Sequence, residues 1–133
     1  MVMFRFTQWL MEGRPLKVNG DGEQSRGFTY VEDIARGTLA GLKPLGFEII
    51  NLGGHEVIKI NQLIQLFESL TGKKTQIEHQ PPHPADMATN WANVSKAGKM
   101  LEWKPTVSLA DGVRQLVTWY DQERDWAKYI LTP

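Results

Sequence analysis

Cysteine is absent from the 133 residues. That excludes a disulfide scaffold, a cysteine-ligated zinc and thiol catalysis within this sequence. Net charge is absent too, because 15 Lys and Arg offset 15 Asp and Glu. No basic field points to nucleic acid and no acidic tail points to a basic partner, although a local basic site fits the balance. Apolar runs long enough to cross a bilayer are missing, so no membrane partner is expected. Met1 to Met11 is apolar and aromatic, but Arg5 interrupts it and no small-residue cleavage site follows. It does not read as a signal peptide, and a cytoplasmic location is the expectation. No internal repeat or low-complexity tract is present.

What remains is an ordinary globular balance, 41% hydrophobic and 23% charged, which separates the chain from disordered sequences. Its length suits a single domain. Five tryptophans (Trp9, Trp91, Trp103, Trp119 and Trp126) are many for this length. Most are expected in the core, with others covering a surface that meets something else.

The pattern predicts a helix over residues 2–12, stopped by Gly13 and Pro15. Leu16 to Asn19 reads as extended, and Gly20-Asp21-Gly22 as a tight turn. Phe28 to Val31 reads as a short strand leading into a helix on Val31, Ile34, Ala35, Thr38, Leu39 and Leu42. Phe47 to Leu52 is nearly continuously apolar, which predicts a strand buried on both faces. Asn61 is placed to cap a helix over residues 62–70. Thr75 to His79 alternates like a strand, and three prolines then stiffen residues 80–84. Asn93 or Ser95 starts a helix to Leu101. Ser108 to Asp111 resembles a capping box before an amphipathic helix through Tyr120, continuing towards Ile130 on a more polar track. The fold class is α/β, a small mixed domain of helices with short strands.

One string stands out: Gly20-Asp21-Gly22-Glu23-Gln24-Ser25-Arg26-Gly27-Phe28-Thr29-Tyr30-Val31-Glu32-Asp33-Ile34. It resembles the "GDG…R-D-(F/Y)-x-Y-V-x-D" segment of the extended short-chain dehydrogenase/reductase superfamily. Phe47 to Gly53 is similar to that family's "Y-x-x-Y-N-(L/V)-G". Pro84-Ala85-Asp86-Met87 is similar to its "P-G-D-(V/L)". Asn93 to Lys96 and Leu101 to Pro105 are similar to "A-D-x-S-K-A…L-G-(W/Y)-x-P", and Ser108 to Tyr120 to its closing helix. Each piece is weak alone; five in order along nearly the whole chain are specific. The tone is closest to UDP-glucose and UDP-glucuronate 4-epimerases.

The resemblance implies the C-terminal, substrate-binding portion of an NAD-dependent epimerase or dehydratase. It implies one domain over residues 1–133 with the Rossmann part absent. The family's G-x-x-G-x-x-G turn does not occur. Tyr30, Tyr120 and Tyr129 are followed four residues on by Ile34, Arg124 and Pro133, so its Tyr-x-x-x-Lys pair is missing as well. No catalytic residue and no cofactor is therefore expected in this chain, NAD belonging to the intact family enzyme.

The resemblance assigns ligand roles to five residues. Arg26 matches the arginine that contacts the nucleotide diphosphate, for which a forked, permanently charged guanidinium is suited. The alternative is a loop arginine, exposed or paired with Glu32 or Asp33. Phe28 takes the aromatic position beside the nucleotide, or is a core aromatic. Asp86 matches the aspartate that hydrogen-bonds the ribose, or caps the turn after Pro84. His83 stands where many 4-epimerases carry a second diphosphate-binding arginine, and offers one donor in place of five. Asn19 stands where an aromatic usually packs on the base; it can hydrogen-bond but not stack. Gly27 replaces a usual aspartate. His79, His83 and Asp86 invite a metal reading, but the prolines between them remove the helical spacing that makes two imidazoles converge.

The expected ligand is thus a nucleotide sugar, held by a portion inactive on its own. The alternative is a stand-alone, non-catalytic binding or oligomerisation module derived from the same family. The first helix and the Phe47–Gly53 segment meet the cofactor domain in the family. Left in water they lose about 25 cal/mol per Å² of apolar surface, so a homo-oligomer through these surfaces, by strand exchange, is expected. Sedimentation at high concentration should show a dimer or larger species, and a sharp monomer boundary would contradict it.

Overall fold

Helical spacing of apolar residues and short extended runs give a mixed α/β fold in which helices dominate. A computed structural model describes residues 2–54, 56–82, 84 and 86–132. The elements are α1 (Val2–Met11), β1 (Leu16–Asn19), β2 (Ser25–Phe28), α2 (Val31–Ala40), β3 (Glu56–Lys59), α3 (Ile60–Thr71), β4 (Ile77–Gln80), β5 (Thr89–Asn90), α4 (Ser95–Leu101), α5 (Leu109–Gln122) and α6 (Arg124–Ala127). Among the described residues no helix is long and apolar enough to cross a membrane. The chain divides into two units. The first comprises Met1–Gln24, Lys59–Ala88 and Val113–Pro133, and the second Ser25–Ile58 and Thr89–Gly112.

In the first unit β1 and β4 pair in parallel, with Leu16 opposite Ile77 and Asn19 opposite Gln80. Leu16 and Val18 point inward, joining Phe6 and Leu10 of α1 and Leu63, Ile64 and Phe67 of α3 in the core. Phe6 meets Phe67 edge-on, with centroids 6.5 Å apart. Gln8 is a buried polar exception whose amide donates to the carbonyls of Ala127, Lys128 and Ile130 at 3.3, 3.2 and 2.9 Å. Those bonds satisfy the buried amide and fasten the end of the chain to α1.

The second unit carries a three-stranded sheet of order β3-β2-β5, of which β2 and β5 are parallel. Beside it, Ala97, Leu101 and Trp103 form a buried cluster with Ile50 and Leu52 packed against them. Asp33, at the start of α2, is fully buried. Its carboxylate accepts from the N–H groups of Thr106 and Val107 at 2.9 and 3.0 Å and from the Thr106 hydroxyl at 2.9 Å, and pairs with Arg36. The Trp103 indole N–H donates to the Asp33 carbonyl at 2.7 Å. Helix α5 begins as predicted, with the Asp111 N–H on the Ser108 hydroxyl oxygen at 3.1 Å and that hydroxyl on the Asp111 carboxylate at 2.7 Å.

Several expectations need correction. Residues 47–52 form no strand; Phe47 and Ile49 are 92% and 73% exposed. An extended segment becomes a strand only when another edge accepts its backbone hydrogen bonds, and no described residue does so here. The strand expected at residues 28–31 lies earlier, at β2, and β3 and β5 have no counterpart in the sequence pattern. Asn61 does not cap α3, because Lys59 holds the N-cap position. The C-terminal helix breaks at Glu123 into α5 and α6. Of the tryptophans only Trp103 is buried, while Trp91, Trp119 and Trp126 are exposed. Trp126 keeps its indole N–H on Glu123 at 2.6 Å and its ring edge-on to Trp119.

Burial alone would raise the Asp33 pKa. The hydrogen bonds from Val107, Arg36 and Thr106 outweigh it and lower the value from 3.8 to about 2. A carboxyl with a lowered folded-state pKa stabilises the fold fully above its unfolded value and loses that effect as pH falls towards the folded one. Acid titration of stability should therefore lose about 2 kcal/mol between roughly pH 4 and pH 2 from this group. Asp33→Asn should cost about 3 kcal/mol at neutral pH and flatten that part of the profile, as measured by urea denaturation at each pH.

Candidate functional site

The first unit's groove is built at the ends of β1 and β4. The Gly20 N–H donates to the Gln80 carbonyl at 2.8 Å, adding a rung beyond the strands. The chain then reverses through Gly20 and Gly22, at φ 69° and 79°. A Cβ on Gly22 would stand 2.1 Å from the Asn61 side-chain oxygen, so conformation and space both require glycine there. The reversal leaves an open groove of about 800 Å³ whose lining includes Asn19, Asp21, Glu23, His79 and Asp86. The structure thus brings Asn19 and Asp86 together.

The groove also holds groups that the motif does not assign to it. His79 Nδ1 lies 2.7 Å from the Gly20 carbonyl oxygen. A carbonyl only accepts, so Nδ1 carries a proton in this contact. Asp21, Glu23 and Asp86 are the acidic lining residues, and among the described residues no Lys or Arg lines the groove. Lys59 pairs with Glu23 at 2.7 Å. That bond, then one from the Asn61 amide, holds the Glu23 carboxyl below its usual range. The lining is rich in acceptors, which suits hydroxyl groups better than phosphate. His79 stands level with Val18 across the ladder.

The second unit holds Arg26 and Phe28. Both line a groove of about 600 Å³ together with Thr29, Asn51, Asn90 and Trp91. Among the described residues Arg26 is the only cation in that lining, and its Nη1 donates to the Ser25 carbonyl at 2.7 Å. The alternative pairing suggested for it on Asp33 meets a carboxylate already engaged by Arg36, Thr106 and Val107. The floor is two backbones in close approach, since a Cβ on Gly27 would lie 2.8 Å from the Gly54 Cα. The Gly54 N–H donates to the Thr29 hydroxyl oxygen. That approach accounts for glycine where the family usually has aspartate. His83 lies outside the described residues, and with it the metal reading of His79, His83 and Asp86.

Both glycine-rich reversals run into strands, Gly20–Gly22 before β2 and Gly53–Gly54 before β3, so neither presents a helix N-terminus to a pyrophosphate. Tyr120 is no base either: burial, then its hydrogen bond to Glu12, push the phenol up to about 12.

The model of the NAD dependent epimerase/dehydratase family matches residues 1–53. UDP-glucuronate 4-epimerase of Thermodesulfobacterium geofontis is 49% identical over 131 residues, 98% of this chain and 41% of that protein. The crystal structure of UDP-glucuronic acid 4-epimerase from Bacillus cereus, in complex with UDP-glucuronic acid and NAD, superposes with a TM-score of 0.88 at 36% identity. That match covers 92% of this chain and 40% of the other. UDP-glucose 4-epimerase from Thermotoga maritima, with UDP-glucose, gives a TM-score of 0.88 at 29% identity, over 93% of this chain and 40% of that one. Nearly the whole chain is similar to members of the NAD-dependent epimerase/dehydratase family. It matches the C-terminal part of these epimerase structures and spans about 40% of their length. The mixed fold with short strands is that family's fold over this part.

The Gly27–Gly54 approach can be tested directly. Gly27→Ala should destabilise by about 1–3 kcal/mol, because the added methyl must displace backbone. Thermal denaturation checks this, and an unchanged midpoint would contradict the close approach.

Proposed function

We propose that residues 1–133 act as the nucleotide-sugar-binding domain of an NAD-dependent UDP-sugar 4-epimerase. The observation that carries this reading is the 49% identity with a UDP-glucuronate 4-epimerase along 98% of the chain. Arg26 forks onto the diphosphate, and Phe28 packs beside the nucleotide. Asp86 accepts from ribose hydroxyls, and Asn19 hydrogen-bonds the base where relatives stack an aromatic. His83 supplies a single donor to the second phosphate. NAD and the tyrosine base belong to parts of the enzyme outside these residues, so this portion binds without turning over. The acceptor-rich lining around Asp86 supports contact with hydroxyl groups, and the cation in the Arg26 groove supports contact with an anion. The exposure of Phe47 and Ile49 supports self-association of the chain when alone.

Titration calorimetry with UDP-glucuronic acid tests the assignment. The chain should bind, and Arg26→Ala should weaken binding about tenfold to a hundredfold, the range for a lost charged hydrogen bond. No binding by the unaltered chain, or equal binding by Arg26→Ala, would overturn it.

A further inference from the structure

We infer that Asn61, assisted by Lys59, is a positioning residue for the ligand groove of the first unit, acting through the Gly20–Gln24 loop. The inference rests on the nucleotide-sugar reading above. The first N–H groups of a helix have no partner within the helix and must find one elsewhere. In α3 the Gln62 side-chain oxygen takes the Lys59 N–H at 3.3 Å, and no side chain takes those of Ile60 and Asn61. The loop does so instead: the Ile60 N–H donates to the Gln24 carbonyl at 3.1 Å and the Asn61 N–H to the Gly22 carbonyl at 3.0 Å.

The same residues hold the loop by their side chains. The Asn61 amide donates to the Asp21 carbonyl at 2.9 Å and to Glu23 Oε1 at 2.8 Å. Lys59 Nζ donates to Glu23 Oε2 at 2.7 Å. Within the loop, the Gln24 amide donates to the Asn19 carbonyl at 2.8 Å and the Glu23 N–H to Asp21 Oδ1 at 3.0 Å. Three successive residues, 59–61, thus make five hydrogen bonds to a loop of five residues. Asp21, Glu23 and Gln24 line the groove, whereas Lys59 and Asn61 do not. Asn61 sets the wall of the groove without touching what binds there. Lys59 and Asn61 also occupy both oxygens of Glu23, which keeps that carboxylate from reaching across the groove for a ligand donor.

The amide of Asn61 is used only as a donor, and its targets are acceptors, so a polarity swap separates positioning from loss of fold. Asn61→Asp would set a carboxylate against the Asp21 carbonyl and Glu23. It should weaken UDP-glucuronic acid binding about tenfold and speed hydrogen exchange at Glu23 and Asn61. Adding Glu23→Gln restores a donor facing the carboxylate introduced at position 61; the double variant should regain affinity to within about threefold and regain exchange protection. Unchanged affinity and exchange in Asn61→Asp would overturn the inference. So would faster exchange with unchanged affinity, or a double variant no better than the single one. Failure of the unaltered chain to bind would instead sink the nucleotide-sugar reading, and unchanged exchange in Asn61→Asp would still overturn the hold on the loop by itself.

Discussion

A carboxylate buried at Asp33 organises the second unit, because every group around it is placed by what that charge needs. Its two oxygens take two backbone N–H groups, a hydroxyl and a guanidinium. Fewer partners would leave a buried charge uncompensated, at several kcal/mol. Thr106 and Val107 lie 73 and 74 residues further along the chain, so the start of α2 is tied to the segment just before α5. The Asp33 carbonyl meanwhile receives the Trp103 indole and brings that ring into the core. Packing follows from this constraint. A Cβ on Gly37 would stand 2.8 Å from the Trp103 indole nitrogen and from Leu52, so only glycine lets α2 come so close.

The first unit solves the same problem with neutral groups and one surface ion pair. Gln8 satisfies its buried amide on three carbonyls of the C-terminal segment. Glu12 then accepts from the Tyr120 hydroxyl at 3.0 Å and from Arg124 Nε and Nη2 at 3.0 and 3.2 Å. The pair is two-pronged, which gives the end of α1 and the start of α6 one preferred register rather than a loose contact. The salt bridge itself adds little stability, because Arg124 is 44% exposed.

The helices were legible in the sequence and the strands mostly were not, for a physical reason. Helices α1, α2, α4 and α5 carry their own periodicity, and α5 its own capping box at Ser108 and Asp111. Strands of two to four residues, such as β2, β3 and β5, exist only through their partners. Phe47 to Leu52 has strand composition and no described partner, so pattern alone misread it. The motif pointed to Arg26, Phe28, Asp86 and Asn19, each of which lines a groove. The site was illegible where the role depends on placement. Asn61 looked like a helix cap because its type favours caps, yet its amide faces away from α3 into a loop 40 residues earlier. The motif also gave no hint that adjacent residues Gln24 and Ser25 fall in different units.

Charge placement is what the structure adds to the motif. A string reading Gly-Asp-Gly-Glu-Gln-Ser-Arg gathers acid and base close together in the chain and could suggest one mixed cluster. Asp21 and Glu23 line a groove with Asp86 and, among the described residues, without Lys or Arg, while Arg26 is the sole described cation lining the other. An acidic, acceptor-rich lining favours neutral, hydroxyl-bearing groups and disfavours phosphate. A guanidinium lining a groove favours an oxyanion, and the close approach of Gly27 and Gly54 leaves no room for a side chain at residue 27. The departure at residue 27 therefore goes with the close approach of two backbones, where any side chain would have to displace Gly54.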